Sequence, residues 1–332
     1  MSSTPPDPRN THKPSSATLR PLTRLSSAMF ETPAVLKRTT TAGRKLAELK
    51  GLAASMPNQG ILINTLGLQE AKDSSAIENI VTTHDELFRS ATYPNLAASP
   101  AAKEVRHYVH ALRTGYDLVR QHGLMTANDM LSVQAELEQS NAGFRRLPGT
   151  TLKDGLGRIV YTPPQDHSEI VELMSDLERF INDDAAFEAD PLIKMAIIHH
   201  QFESIHPFYD GNGRTGRIVN VLYLVNKALL DIPMLYLSSH IVRSKPDYYR
   251  LLQAVRDSGD APAVWEEFIN NLFMHPYTKI DFVERDLKVS RLTATKYLDA
   301  LAKAGFVEKV KVARSNYYIN VALNSILTRT GE

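Results

Sequence analysis

Apolar residues recur at helical spacing along most of the chain, and this pattern predicts a mainly α-helical protein. Proline is absent from most of these stretches, which supports helices over loops. The stretch at 218–230 is apolar nearly all round, so we expect a buried helix there. The other ranges with a helical pattern are 41–56, 101–122, 126–138, 168–182, 192–205, 247–257 and 262–274.

The helical period stops between residues 147 and 164. Asp154, Gly155 and Gly157 mark a turn between two β-prone runs, 150–152 and 158–162. The segment predicts a β-hairpin that projects from the helical core.

Both ends of the chain differ from the middle. Residues 1–28 are rich in Ser, Thr and Pro and predict a flexible arm, followed by a helical region at 29–100 and a core at 101–275. In 277–332, two short helical patterns (279–287 and 290–304) precede β-prone runs at 308–312 and 317–321. This order is typical of a winged-helix domain. Ten Lys/Arg and six Asp/Glu give that segment 10 − 6 = +4, too weak a charge to favour DNA contact over a dimerisation or partner module.

Composition excludes several classes of protein. A formal net charge of +1 gives no electrostatic case for nucleic acid or membrane as a partner. Cys is absent, which excludes disulfides and thiolate metal sites and fits a reducing compartment. No apolar run reaches about 18 residues and no signal-peptide core is present, so the sequence predicts a cytoplasmic protein without a membrane span.

The densest group of chemical side chains lies at 206–217, HPFYDGNGRTGR. Pro207 disfavours α geometry at His206, so the helix at 192–205 should end there. The motif then becomes a tight loop between two helices. His206, at the mouth of that loop, can act as a general base near neutral pH.

The rest of the loop predicts an anion site. Gly211 and Gly213 allow the backbone to approach a ligand closely at a helix N-terminus, where N–H groups are unpaired. Arg214 and Arg217 add planar donors suited to phosphate oxygens. Asp210 is a hard oxygen ligand, suited to Mg²⁺ bound together with a phosphate chain. These groups together favour phosphoryl or nucleotidyl transfer.

Two other interpretations use the same residues. The run from Gly211 to Gly216 also matches G-x-G-x-x-G, with Asp231 near the spacing of a ribose-binding acid, but that site needs strands where both flanks here are helical. His199, His200 and His206 suggest zinc, but Pro207 breaks the helical face and no acid completes the set. A glycine-capped turn with surface arginines is the remaining, non-functional interpretation.

The loop resembles the Fic motif, HPFxxGNGRxxR, with every fixed position present. The resemblance implies a mostly helical enzyme that transfers AMP from ATP, with Mg²⁺ or Mn²⁺, to a hydroxyl of a target protein or of itself. It implies that His206 deprotonates the target hydroxyl, that Asp210 holds the metal, and that Arg217 meets the γ-phosphate. It further implies a nucleotide site made of Glu78, Gln201, His206, Pro207, Phe208, Tyr209, Asp210, Gly211, Asn212, Gly213, Arg214, Arg217 and Arg243.

An upstream stretch gains meaning beside this motif. Ser74-x-x-x-Glu78-Asn79 resembles the inhibitory [S/T]xxxE[G/N] motif of the family, in the class whose inhibitory helix precedes the core. Ser74 and Glu78, at i and i+4, share one helix face. If Glu78 reaches Arg217, the γ-phosphate loses its partner and meets a negative charge. We therefore expect autoinhibition.

The resemblance also extends to sites beyond the loop. It implies that the hairpin, through Ile159, Val160 and Tyr161, positions a target peptide, which an exposed strand edge could bind through backbone hydrogen bonds. It is compatible with a homodimer through the Fic core. For Tyr248 and Tyr249, core packing is favoured over stacking on adenine. The alternatives are transfer of another phosphate-containing group, removal of AMP, or a DNA-binding regulator with an inert core.

Overall fold

The computed structural model describes residues 19–55, 59–83, 86–87, 99–258, 262–272, 308–312 and 315–319. The protein is mainly helical, as the apolar pattern predicts. Among these residues, no helix combines the length and the apolar character needed to cross a bilayer. The α-helices are α1 (Pro33–Ala54), α2 (Gln59–Ile77), α3 (Pro100–His122), α4 (Ala127–Glu138), α5 (His167–Asn182), α6 (Pro191–Ile205), α7 (Asn212–Asn226), α8 (Ser238–Arg243), α9 (Lys245–Ser258) and α10 (Pro262–Leu272).

Helix α6 forms the centre of the helical core. Every residue from Leu192 to Ile205 is buried, so this helix is surrounded by other elements on all sides. Helix α7 packs beside it and is itself buried over most of its length. The sequence therefore correctly predicts a buried helix here, but the predicted bounds, 218–230, differ from those of α7. Helix α7 begins six residues earlier, at Asn212, because the polar motif residues form its first turns, and it ends at Asn226.

Helix α4 follows the sequence signals closely. Thr126 caps its N-terminus by accepting from the Asp129 N–H, and the Asp129 carboxylate accepts in return from the Thr126 N–H at 2.8 Å. Gly115 on α3 lies so close to Leu222 of α7 that a Cβ atom there would clash. This absence of a side chain lets α3 closely approach both Leu222 of α7 and Val133 of α4.

The predicted hairpin is present but short. Strand β1 (Leu152–Lys153) pairs antiparallel with β2 (Ile159–Tyr161), with an irregularity between Leu152 and Lys153. Asp154 shapes the turn, because its Oδ1 accepts from the N–H groups of Leu156 and Arg158. The turn is also closed by backbone bonds, from the Asp154 N–H to the Arg158 carbonyl and from the Gly157 N–H to the Asp154 carbonyl, both at 2.9 Å.

The two ends of the chain are described only in part. Leu22, inside the segment predicted as a flexible arm, is buried, and its N–H donates to Asp176 at 2.7 Å. Near the other end, β3 (Glu308–Val312) pairs antiparallel with β4 (Ser315–Ile319), which starts two residues before the predicted strand. The helices predicted at 279–287 and 290–304 lie outside the described residues.

Candidate active site

The motif forms a tight loop between α6 and α7. Helix α6 ends at Ile205, and His206 adopts a left-handed conformation with φ of 49°, which turns the chain where Pro207 stops the helix. Asn212 braces the loop from within. Its Oδ1 accepts from the Phe208 N–H at 2.8 Å, and its Nδ2 donates to the Phe208 carbonyl at 2.9 Å.

The loop ends as an anion nest. Gly211, with φ of 75°, precedes α7, and no side chain of the described residues caps this helix N-terminus. The N–H groups of the first turn therefore remain available to an anion. Asp210 is exposed beside them, with its Oδ1 accepting from the Gly211 N–H at 2.7 Å.

Arg217 is almost completely enclosed, with only 1% of its side chain exposed. Its Nε donates to the Ser74 hydroxyl at 2.7 Å, and its Nη2 donates both to the Ser74 carbonyl at 2.9 Å and to Glu78 Oε1 at 2.8 Å. Burial opposes the guanidinium charge, but the surrounding negative charges, Glu78 first, outweigh burial and raise the pKa of Arg217. Arg217 is thus a fixed cation.

Glu78 also lies directly over the loop. A Cβ atom at Gly213 would collide with Glu78 Oε1, so the carboxylate rests against the first turn of α7. Helix α2 ends at Ile77, and Asn79 follows in a left-handed conformation with φ of 66°. The sequence predicted that Ser74 and Glu78 would share one face, and both of them contact Arg217.

Arg214 has two acidic partners that the sequence did not indicate. Its Nη1 donates to Glu104 on α3 and its Nη2 to Glu138 on α4, both at 2.7 Å. Glu138 Oε1 also lies where a Cβ atom of Gly211 would be. Burial raises the pKa of Glu138 to about 6. The positive charge of Arg214 opposes this rise, and the negative charges of Asp210 and Glu104 add to it. The second guanidinium of the motif is therefore also held by carboxylates.

His206 lies between two further arginines. Arg145 Nε donates to the His206 carbonyl at 2.8 Å. Arg256 on α9 donates to the Glu203 carbonyl and to the Ser204 hydroxyl one turn earlier. Burial lowers the pKa of His206 to about 3, and the positive charges of Arg256 and Arg145 lower it further. The imidazole is therefore neutral at physiological pH and able to accept a proton.

Glu203 is a buried carboxyl beside these groups. It is 8% exposed, and its Oε1 has no hydrogen-bond partner among the described residues. A Cβ atom at Gly216 would lie 2.9 Å from that oxygen, so Glu203 packs against α7 one residue before Arg217. Burial raises the pKa of Glu203 to about 7, although Arg217 opposes the shift.

Other residues of the predicted nucleotide site have structural partners. Phe208 is buried against Phe144 and Phe202, with Pro207 buried beside it. Tyr209 is half-exposed, and its hydroxyl accepts from the N–H groups of Arg146 and Leu147. These contacts brace the loop.

Four residues considered for the periphery of the site differ in exposure. Gln201 is buried and donates to the Arg20 carbonyl at 3.1 Å, and Arg243 is exposed at the end of α8. Tyr248 packs in the core as predicted, with its hydroxyl 2.8 Å from His199 Nε2. Tyr249 is 43% exposed, so its predicted core packing is wrong. As the next residue along α9, Tyr249 lies at the edge of the core, with its ring packed edge-on against the Tyr248 ring and 5.2 Å between the ring centroids.

The site fits one divalent cation of the magnesium type. Asp210 offers a single exposed carboxylate beside the anion nest, and Mg²⁺ commonly takes one or two protein carboxylates and completes its shell with phosphate oxygens and water. The described residues contain no group of three or more His, Cys, Asp or Glu arranged for a metal. The arrangement matches a cation brought in with a nucleotide rather than a preformed cage.

The chain matches three family models. The N-terminal model of the Fic/DOC family covers residues 36–117, and the Fic/DOC family model itself covers residues 124–224. The model of the C-terminal domain of SoFic-like protein adenylyltransferase covers residues 253–323. The first match contains Ser74 and Glu78, and the second contains the whole loop from His206 to Arg217.

Similar proteins include two curated relatives. Protein adenylyltransferase fic-1 of Caenorhabditis elegans is 29% identical over 144 residues, 41% of this chain and 26% of the relative. Protein adenylyltransferase Fic of Drosophila ananassae is 24% identical over 213 residues, 51% of this chain and 42% of the relative. The chain thus spans less than half the length of each.

Two solved structures share the fold. A Fic family protein from Desulfovibrio desulfuricans aligns with a TM-score of 0.58 at 21% identity, covering 87% of this chain and 96% of that one. Residues 134–508 of Fic-1 from C. elegans align with a TM-score of 0.56 at 18% identity, covering 82% and 75% respectively.

Proposed function

The chain belongs to the Fic/DOC family, and we propose that it is a protein adenylyltransferase that transfers AMP from ATP to a Ser, Thr or Tyr hydroxyl. The observation that carries this proposal is one loop that presents a neutral imidazole, an exposed carboxylate and two arginines around a helix N-terminus. That set meets the needs of nucleotidyl transfer, which are a base, a metal ligand and a phosphate cradle.

In the proposed reaction, His206 removes the proton of the target hydroxyl as its oxygen attacks the α-phosphorus of ATP. A bond forms from the hydroxyl oxygen to that phosphorus, the α,β-bridging bond breaks, and pyrophosphate leaves. The N–H groups after Gly211 and the guanidinium of Arg214 hold the phosphate chain, and Arg217 holds the γ-phosphate. Mg²⁺, held by Asp210 when bound, neutralises phosphate charge. Phosphate oxygens near His206 favour imidazolium, which brings its pKa closer to the operating pH.

We further propose that the chain rests in an autoinhibited state. Support comes from the ion pair between Glu78 and Arg217 and from the position of Glu78 Oε1 against Gly213. A γ-phosphate at Arg217 would meet this carboxylate within contact distance, and like charges that close repel strongly. Productive binding of ATP therefore requires Glu78 to leave.

The hairpin is proposed as the platform for the target. Ile159 is 44% exposed, and among the described residues the short strand β2 pairs only with β1. An extended target segment can add to such an edge through backbone hydrogen bonds. Arg256, stacked 4.4 Å from the centre of the Tyr161 ring, links this strand to the last turn of α6, just before His206.

The deciding experiment incubates the full chain with ATP labelled on the α-phosphate and Mg²⁺. The expected result is covalent label on protein, much stronger for Glu78→Gly than for the native chain and absent when His206→Ala is added. Label from γ-labelled ATP instead would indicate phosphate transfer, and release of AMP from a labelled protein would indicate removal. Duplex DNA binding that weakens with salt, without any label, would favour a regulator with an inert core.

A further inference from the structure

Arg145 is a buried charged residue outside every helix and strand, between α4 and β1. It is completely enclosed, and its guanidinium reaches three carbonyl groups. Nε donates to the His206 carbonyl at 2.8 Å, while Nη2 donates to the Ile205 carbonyl at 3.3 Å and closely to the Pro164 carbonyl. Its own N–H donates to the Pro207 carbonyl at 2.9 Å.

These contacts supply hydrogen-bond donors to carbonyl groups at the C-terminal end of α6, next to the base His206. The last carbonyls of an α-helix have no partner within the helix, and a cation there also meets the negative end of the helix dipole. His206 itself holds a left-handed conformation, which costs a non-glycine residue about 1–3 kcal/mol unless its surroundings enforce it. Arg145 bonds the carbonyl groups of three consecutive residues, 205 to 207, and so fixes this turn.

The same residue connects the loop to the hairpin. Pro164 follows β2, and its carbonyl shares the Arg145 guanidinium with Ile205 and His206. On the other side, the Arg145 carbonyl lies 3.0 Å from His167 Nδ1 at the start of α5. The turn that holds His206 and the chain that leaves the hairpin are thus bound to one rigid group.

We propose that Arg145 is a positioning residue for the transfer reaction, holding the His206 turn and the base of the hairpin in one fixed arrangement. This inference rests on the proposed function. Arg145 acts through the backbone, because its donors reach carbonyl groups, and among the described residues no hydrogen bond joins it to Arg214 or Arg217. It should therefore govern where the base meets the target hydroxyl.

The phosphate cradle depends on other contacts. Arg217 is held by Ser74 and Glu78, and Arg214 by Glu104 and Glu138. Loss of Arg145 should therefore leave nucleotide affinity nearly intact. A displacement of the base by about 1 Å can lower turnover by about 10²-fold. The signature of the proposed role is a loss in kcat without a matching loss in ATP binding.

The test uses the full chain carrying Glu78→Gly, with Arg145→Ala, Arg145→Lys and the control Arg146→Ala. Arg146 is the exposed neighbour, so its replacement removes the same charge without the buried contacts. We expect Arg145→Ala to lower kcat by about 10²-fold while the Kd for ATP changes less than about twofold, and guanidinium ions to restore part of the rate. Arg145→Lys should also lose rate, because a lysine cannot reach three carbonyl groups in a planar fork. Arg146→Ala should behave as the Glu78→Gly parent.

Hydrogen exchange of residues 203–209 gives a readout that does not need activity. We expect faster exchange there in Arg145→Ala and Arg145→Lys than in Arg146→Ala, with the other helices unchanged. Unchanged kcat and exchange in both Arg145 variants, or parallel losses of kcat and ATP affinity, would overturn the inference. If the Glu78→Gly parent itself transfers no AMP, the proposed function fails, and the exchange data alone decide whether Arg145 anchors the turn.

Discussion

Glu78 and Arg217 lie 139 residues apart in the chain, yet Glu78 Oε1 is 2.8 Å from Arg217 Nη2. The two partners differ in their access to solvent: the Arg217 side chain is 1% exposed and the Glu78 side chain 34%. Glu78 can therefore move into water while Arg217 stays in place. This asymmetry suits a switch, since the group that must leave has a short way to solvent and the group that binds phosphate remains fixed.

The first prediction concerns Ser74, the second residue that holds Arg217. Ser74→Ala removes the hydroxyl that accepts from Nε at 2.7 Å but keeps the Ser74 carbonyl contact and the Glu78 ion pair. A hydrogen bond to a charged group contributes about 1.5–3 kcal/mol. That energy corresponds to a factor of about 10 to 150, so we expect Ser74→Ala to raise ATP affinity and labelling within that range, and by less than Glu78→Gly does. Calorimetry with ATP and Mg²⁺, together with labelling rates, measures the two effects.

The matched control is Ser75→Ala on the same helix. Ser75 is also buried, but its hydroxyl has no hydrogen-bond partner among the described residues. The Ser75→Ala variant should therefore label at the same rate as the native chain. A Ser74→Ala protein that labels as slowly as the native chain would mean that Glu78 alone determines the resting state.

The second prediction concerns the charge around Arg214. The cation has two carboxylate partners, so the group of Arg214, Glu104 and Glu138 carries +1 − 2 = −1 when all are ionised. Glu138→Gln removes one negative charge at nearly constant shape. We expect Glu138→Gln to bind ATP more tightly in the absence of Mg²⁺, because it removes the repulsion between this carboxylate and the ATP phosphates. Two unit charges about 4 Å apart interact by a few kcal/mol at an effective dielectric near 20. Calorimetry with a chelator, in the Glu78→Gly chain, measures this.

Glu136→Gln provides the control from the same helix, because the Glu136 carboxylate accepts from Gln139 at 3.5 Å and makes no hydrogen bond or ion pair with the motif among the described residues. The direction of the effect decides between two roles for Glu138. Weaker binding in Glu138→Gln would mean that this carboxylate holds Arg214 in its phosphate-binding orientation and does not compete with phosphate.

Local sequence patterns predicted the turn at His206, because Pro207 acts on its immediate neighbour. They also brought Ser74 and Glu78 onto one face, since helical spacing is a local rule. Glu104 and Glu138 could not be found this way. They meet Arg214 across 110 and 76 residues, through the packing of α3 and α4 against α7. Arg145 was missed for a similar reason, because its partners are backbone carbonyls, which have no signature in side-chain patterns.

The third prediction concerns the pH dependence of transfer. Burial, followed by the charges of Arg256 and Arg145, lowers the pKa of His206 to about 3. The imidazole should therefore remain neutral well below the ordinary histidine pKa of about 6.5. We expect kcat/KM for ATP of Glu78→Gly, which reports the enzyme before ATP binds, to stay nearly constant from about pH 8 to about pH 5.5, where an ordinary histidine base would already be mostly protonated. A kcat/KM that halves near pH 6.5 would contradict this environment of His206.

The last prediction concerns the buried carboxyl of Glu203. Burial raises its pKa from 4.5 to about 7, so the folded state favours the protonated form. The contribution of the protonated Glu203 carboxyl to the stability of the folded state is therefore complete below pH 4.5, and it is lost as pH rises through 7. A shift of this size corresponds to an order of about 3 kcal/mol. Glu203→Gln keeps the neutral shape and removes the titration, so it should raise the unfolding temperature at about pH 8 by several degrees more than at about pH 5.

The control for this measurement is Glu188→Gln, which changes an exposed carboxyl in the loop before α6. Glu70 has a pKa raised to about 7 by burial as well, but it is present in both proteins, so its contribution cancels in the difference. Equal changes in unfolding temperature at both pH values would show that Glu203 does not hold a proton in the folded state. Its carboxylate would then act as a second permanent negative charge beside Arg217, and release of Glu78 alone would leave the γ-phosphate site only partly open.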